Sequence, residues 1–349
     1  MPDQPMKSMS PPAAPVAALG QALAGMDPRL PPGQRLQRLI DAGLDRLPLP
    51  AGGDTLRRWE CLALVARHDL SLLKLYEGHT DALAILAELD AASMPLPRSA
   101  WGVWCAEPPG VGLTLRRAGA AGFVLSGRKH WCSGAAAVSH ALVSCRDDSG
   151  GRRLAAVAML QPGVAVTEEG WHAVGMAACD SVDVAFDDAP AVPVGDADAY
   201  LNRPGFWHGG AGIAACWYGA AQSLADYLHA AVRGQAAADP FRLAHLGEVD
   251  IAMQGAAALL RETAAAIDAD PYADASTPAL RVRLAVEAAA STVLRHVTRA
   301  LGAGPLCRDA AFARMAADLP VFLRQSHAER DLATLGGMLA KQEHSSWLL

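Results

Sequence analysis

The stretch Gly122-Phe123-Val124-Leu125-Ser126-Gly127-Arg128-Lys129-His130-Trp131-Cys132-Ser133-Gly134-Ala135 decides how the chain is read. An apolar run, the turn pair Ser126-Gly127 and a second alternating run ending in Trp131 and Ser133 predict the two strands of a β-hairpin. On an alternating strand Trp131 and Ser133 share one face, while Cys132 between them points to the other. The same residues also suit a plain hairpin with a core tryptophan, so the surrounding sequence has to choose.

Working outward, the period-two pattern extends from Ala100 to Gly195. It is punctuated by turn residues at Asp147-Asp148-Ser149-Gly150-Gly151, Pro162-Gly163 and Asp187-Asp188. This predicts a small β-barrel over residues 99–197. On its N-terminal side, Leu36, Leu39, Ile40, Leu44 and Leu47 fall on one helical face. Thr55 to Arg67 and Ala82 to Leu89 have helical spacing too, separated by the polar patches His68-Asp69 and Gly78-His79-Thr80-Asp81. Residues 34–98 therefore form an all-helical segment, and the Pro/Ala/Gly-rich residues 1–33 are expected as a mobile arm. After the barrel, long Ala-rich runs broken near 237–240, 268–278 and 302–305 predict four or five antiparallel helices over 204–345.

Bulk properties exclude several function classes. A chain of 349 residues with 52% hydrophobic residues can bury a large core. A formal net charge of −6 with mixed signs gives no basic stripe for nucleic acid. Neither a bilayer-spanning apolar run nor a signal-peptide pattern is visible, so the expected location is cytoplasmic. The seven cysteines are scattered without a Cys-x-x-Cys pair, which predicts reduced thiols. His68 and His79 lack a third partner at ligand spacing, and no metal is expected.

The quoted strand resembles the flavin-contacting segment of the acyl-CoA dehydrogenase family, in which a Trp packs on the isoalloxazine ring and a Ser or Thr hydroxyl reaches a ring nitrogen. Further similarities follow in order. Cys105-Ala106-Glu107-Pro108 resembles the strand-then-loop over the flavin pyrimidine. Gln161-Pro162-Gly163-Val164, Val174-Gly175-Met176, Val182 to Phe186 and Val192-Pro193-Val194-Gly195 come next. Phe206-Trp207-His208-Gly209-Gly210 then resembles a helix start. The resemblance spans roughly 34–336 and is strongest over 101–221. It implies an α+β fold with an N-terminal helical domain, a central barrel and a C-terminal antiparallel bundle.

It also implies an FAD-dependent oxidoreductase that removes hydrogens from adjacent carbons of an acyl thioester or related small organic acid. The flavin would be held by Cys105, Ala106, Trp131, Cys132 and Ser133. Its adenine half would lie against the Gly302-Ala303-Gly304 turn, which also reads as an ordinary helix stop. Gly112 and His208 fall at substrate-facing positions of the family. An electron-transfer partner or a flavin reductase, and a homodimer or homotetramer, would complete the system.

The chain departs from the family at the base. No Glu stands at His208-Gly209-Gly210, and the C-terminal Glu-Gly-Thr loop is replaced by Arg324-Gln325-Ser326-His327-Ala328-Glu329-Arg330-Asp331. This segment resembles monooxygenase and desulfurisation-type relatives, so His327 is the expected base and Glu329 its carboxylate alternative. The same residues also suit a solvated charged face. Two other readings stay open: a monooxygenase of the same fold using reduced flavin and oxygen, and a degenerate binding or scaffold subunit.

Overall fold

The computed structural model describes residues 16–108, 110, 112–119, 122–233, 239–345 and 347. Four helices lead: α1 (Val16–Ala24), α2 (Pro32–Asp41), α3 (Thr55–His68) and α4 (Leu70–Glu88). Seven strands follow: β1 (Trp101–Trp104), β2 (Leu113–Arg117), β3 (Phe123–Cys132), β4 (His140–Asp147), β5 (Arg152–Ala158), β6 (Val164–Val166) and β7 (Val182–Val194). The chain then returns to helices: α5 (Ala199–Asn202), α6 (Gly205–Val232), α7 (Pro240–Ala269), α8 (Ser276–Leu301), α9 (Ala303–Arg308), α10 (Ala310–Leu323) and α11 (Glu329–Leu339).

The strand pairings β2-β3-β7-β5-β4-β2 close a ring, with β1 attached parallel to β4 and β6 attached to β7. Closure removes the exposed edges that an open sheet would present. This is the barrel expected from the alternation. The hairpin, however, is formed differently. Residues 123–132 are one strand, β3, paired antiparallel to β2 and β7. Ser126-Gly127 marks an irregularity inside it, where the register to β7 shifts and Gly127 has φ +122°. Glycine inside a strand pattern signals a bulge as readily as a turn.

The expected loose lead-in is also different where the structure describes it. Residues 1–15 lie outside the described residues, but α1 buries Leu19 and Leu23 completely or nearly so. The largest departure is α4. Gly78-His79-Thr80-Asp81 does not interrupt the helices; it lies in the middle of one. Gly78 is buried on the side of the helix next to β1, where a β-carbon would stand at ordinary contact distance, 3.7 Å, from the Val103 amide nitrogen. His79 is buried, its Nε2 3.0 Å from Asp45 while its Nδ1 accepts from the Trp101 N–H at 3.2 Å. The backbone N–H fixes the tautomer, since Nδ1 must be the acceptor and Nε2 must carry the proton.

The N-terminus of α4 is tied down by Asp69, which accepts from the Leu72 N–H at 2.7 Å and pairs with the buried Arg35 at 2.9 Å. In the bundle, α6 packs so closely on α3 that a β-carbon at Gly219 would collide with the Ala63 carbonyl oxygen. The α6 spine is accordingly built from Gly and Ala: Ala211, Gly212, Ala214, Ala215, Gly219, Ala220 and Ala221 are all buried. Short connections and apolar faces leave α6, α7, α8 and α10 around one core that is continuous with α3 and the barrel.

Candidate active site

The platform of the site is the end of β3. Trp131 has φ +58°, a left-handed conformation that tryptophan seldom adopts, and remains 50% exposed. Its neighbour Cys132 is buried on the opposite side, with its thiol pushed well up by burial. The register to β7 shifts between Lys129 and Cys132, and the strand ends at Cys132, so that Ser133 lies in the turn that follows. Ser133 lies 2.7 Å, oxygen to oxygen, from the buried Ser181 hydroxyl, which in turn lies 3.2 Å from the Cys179 sulfur. The Trp104 indole N–H donates to the Ser133 carbonyl at 3.2 Å and joins the β1 end to this platform. Cys105 and Ala106, next along the chain, are half-buried and exposed. Burial pushes the Cys105 thiol up to about 11. A half-exposed indole beside a hydroxyl pair is a donor set that suits a flat, hydrogen-bonding heterocycle such as a flavin ring.

A row of charge lies on α4 nearby, where Lys74 is within electrostatic reach of Cys179, whose sulfur contacts Ser181. Lys74, Glu77 and Asp81 stand at i, i+3 and i+7 on one side of α4, half-buried, where a core helix would present apolar residues. Lys74 and Glu77 form an ion pair at 3.0 Å. Burial works to lower the Lys74 pKa, and the Glu77 carboxylate more than reverses it. Arg58, from α3, is buried and donates to the Pro48 carbonyl at 3.2 Å. Asp81 has no hydrogen-bond or salt-bridge partner among the described residues, and burial raises its pKa, opposed by Arg203, Arg58 and Lys74 and reinforced by Glu77.

The opposite wall is the start of α6, which runs antiparallel to α4. Glu88 accepts from the Gly205 N–H at 2.8 Å and from Arg203 at 2.7 Å. One turn further, a β-carbon on Gly209 would come within 3.2 Å of the Asp81 carboxylate, and one on Gly210 would meet nothing within 4 Å. Arg283, from α8, donates to the Gly210 carbonyl at 2.7 Å and lies over the Trp217 ring.

The sequence-predicted residues divide between this cleft and elsewhere. Trp131, Ser133 and, through Trp104, the Cys105-Ala106 segment come together. His208 is buried inside α6 with Nε2 unpartnered, and burial lowers its pKa. Gly112 is exposed at the start of β2, where its carbonyl oxygen backs Gly127. His327 lies in the turn between α10 and α11, its side chain 65% exposed and its Nδ1 3.5 Å from Asp331; Glu329, at the start of α11, is exposed. That segment touches the bundle through Arg283, which reaches the Gln325 carbonyl at 3.4 Å. Gly302 (φ +65°) and Gly304 lie exposed at the α8–α9 break.

The cleft-facing row of α4 was not among the expected site residues. Its signal is the i, i+3, i+7 spacing of Lys74, Glu77 and Asp81. That spacing becomes visible only once Gly78 is placed inside a helix.

Residues 110–189 match the model of the acyl-CoA dehydrogenase middle domain. No curated protein matches the chain in sequence. Among solved structures, KijD3 in complex with FMN and dTDP-3-amino-2,3,6-trideoxy-4-keto-3-methyl-D-glucose superposes with a TM-score of 0.76 at 21% identity, covering 95% of this chain and 92% of that one. FMN-bound TdsC from Paenibacillus sp. A11-2, a dibenzothiophene monooxygenase, gives 0.79 at 18% identity over 94% and 96%. Methanesulfinate monooxygenase MsuC from Pseudomonas fluorescens gives 0.77 at 18% identity over 94% and 97%. At these identities the likeness establishes the fold.

Proposed function

We propose that this chain, which has the acyl-CoA dehydrogenase fold and carries that family's middle domain, is a flavin-dependent oxidoreductase of the monooxygenase type. The observation that carries this reading is a half-exposed Trp131 beside the Ser133–Ser181 hydroxyl pair, together with the charged row on α4. An acyl chain needs an apolar slot. The face that α4 turns to the cleft instead bears Lys74, Glu77 and Asp81, with Arg58 and Arg203 within electrostatic reach. α-Proton abstraction from a thioester also needs a base opposite the ring. Neither α6, with Gly209 and Gly210, nor the exposed His327 supplies one in the family's manner.

The solved structures of the same fold support the choice: TdsC and MsuC are monooxygenases, and KijD3 and TdsC hold FMN. We read the cofactor as flavin mononucleotide rather than FAD, because the KijD3 and TdsC structures of this fold hold FMN. A reduced flavin would supply two electrons to dioxygen, so that substrate, dioxygen and reduced flavin give oxygenated substrate, oxidised flavin and water. Trp131 would hold the ring by stacking, and the Ser133–Ser181 pair would bond its edge. The Trp104–Ser133 link would fix the platform against β1, and α4 would orient a polar substrate. A separate flavin reductase would be the partner.

The test is anaerobic and aerobic titration of the FMN-loaded protein. The expected result is stoichiometric FMN binding, with oxygen uptake when a reductase and NADH supply reduced flavin. Rapid anaerobic bleaching of bound flavin by an acyl-CoA thioester would overturn it in favour of α,β-dehydrogenation.

A further inference from the structure

We propose that Asp81 is the acid–base group of this cleft, the carboxylate that meets an N–H or O–H donor on a small polar substrate and takes its proton. The proposal rests on the oxidoreductase reading above.

The neighbouring carboxylates of the helical layer are already engaged. Glu77 pairs with Lys74 at 3.0 Å, Glu88 with Arg203 at 2.7 Å, Asp45 with His79 at 3.0 Å and Asp69 with Arg35 at 2.9 Å. Asp81 alone in this group has no partner of either kind among the described residues. A half-buried carboxylate without a partner is costly, and such groups gather where chemistry uses them.

Asp81 lies against the glycine-rich start of α6. Gly209 stands opposite, and its missing β-carbon leaves room beside the carboxylate; at Gly210 a β-carbon would meet open space. A glycine pair costs a helix roughly 1–2 kcal/mol relative to alanine, so this opening is not what helix propensity alone would select. The carboxylate that α6 lacks is thus presented to the same wall from α4.

The groups facing Asp81 are Arg58 of α3, Lys74 and Glu77 of α4, Cys105 beyond β1, and Tyr200 and Arg203 at α5 and just after it. Burial dominates over the three cations and holds the proton to higher pH than an ordinary aspartate would. In the step proposed, the ionised Asp81 accepts the proton of a substrate X–H group. The bonding pair stays on X, which becomes the better electron donor. The proton leaves Asp81 for water before the next turnover. The substrate class this implies is a small molecule with an amino or hydroxyl head.

The experiment is carbon-13 NMR of the full chain labelled at aspartate carboxyls, with and without FMN, compared with Asp81→Asn. The expected result is a carboxyl signal absent from the variant that titrates above the ordinary aspartate range. Asp81→Asn should bind FMN within twofold of the wild type. At neutral pH a carbodiimide with glycine methyl ester should label Asp81 in preference to Glu77. A midpoint in the ordinary range, or labelling of Glu77 ahead of Asp81, would overturn the proposal. A tenfold loss of FMN affinity in Asp81→Asn would overturn it too, by making the residue a cofactor holder. Failure of the wild type to bind FMN would instead sink the flavin reading, which separates the two.

Discussion

Replacing Trp131 by glycine separates a cofactor platform from a core residue. The indole is 50% exposed. A tryptophan side chain buries about 150–250 Å² in full contact, so roughly 100 Å² remains for a stacked ring to cover. At about 25 cal/mol per Å² that contact is worth about 2.5 kcal/mol, close to a hundredfold in affinity. The buried half of the ring contributes a similar amount to folding. Glycine, however, relieves the left-handed backbone at φ +58°, recovering about 1–2 kcal/mol. The net destabilisation expected is therefore about 0.5–1.5 kcal/mol, a fall of only a few degrees in Tm at this chain length. Flavin titration by fluorescence quenching, paired with thermal unfolding, measures both quantities. An FMN affinity within threefold of wild type, together with a loss of more than about 4 kcal/mol in stability, would refute the reasoning, because that is the response of a buried core aromatic.

Four further outcomes follow from particular contacts. Gly219→Ala should destabilise the chain by roughly 1–3 kcal/mol or more, since the added methyl meets the Ala63 carbonyl on a neighbouring helix; chemical denaturation measures it. Arg35→Met should cost about 3–5 kcal/mol by leaving Asp69 buried and unpaired, and adding Asp69→Asn should recover part of that loss in a double-mutant cycle. His208 has its pKa lowered by burial, so the unfolded chain takes up its proton first. Its contribution is present above about pH 6.5 and is lost as the pH falls through that value toward the folded midpoint. The drop in Tm from pH 7 to pH 5 should therefore be smaller in His208→Gln than in wild type. Among the thiols, Cys307 is exposed while Cys61 and Cys145 are buried and pushed up to about 11 and about 12. Alkylation at mild pH should show one fast thiol, removed by Cys307→Ser.

Much of the architecture was legible because it is written in period. Alternation from Ala100 to Gly195 specified a barrel, and Ala-rich helical runs after Phe206 specified a bundle. Both depend on local patterns that burial then satisfies. Trp131 was legible for the same reason, near the end of an alternating strand, while Ser133 lies one residue beyond it in the turn that follows. What the sequence concealed were places where glycine has two meanings. Gly127 sits in a strand irregularity instead of a turn. Gly78 sits within a helix, close to β1, instead of ending it. The choice between those meanings depends on what lies across the contact, which no local window contains.

The misplaced Gly78 is also why the charged wall went unseen. Taken as a break, Gly78-His79-Thr80-Asp81 is a polar loop whose side chains point anywhere; taken as one helical turn, it assigns each residue a direction. His79 turns inward to Asp45 and the Trp101 N–H, Gly78 meets the barrel, and Asp81 falls in line with Lys74 and Glu77. The same logic acts across the cleft. Gly209 and Gly210 look like the loss of a functional side chain in α6, yet Gly209 lets the Asp81 carboxylate approach and Gly210 borders open space. A carboxylate missing from one helix is therefore weak evidence that the site has decayed. Opposing walls of a cleft can exchange a side chain and the room for it while the chemistry between them keeps its carboxylate.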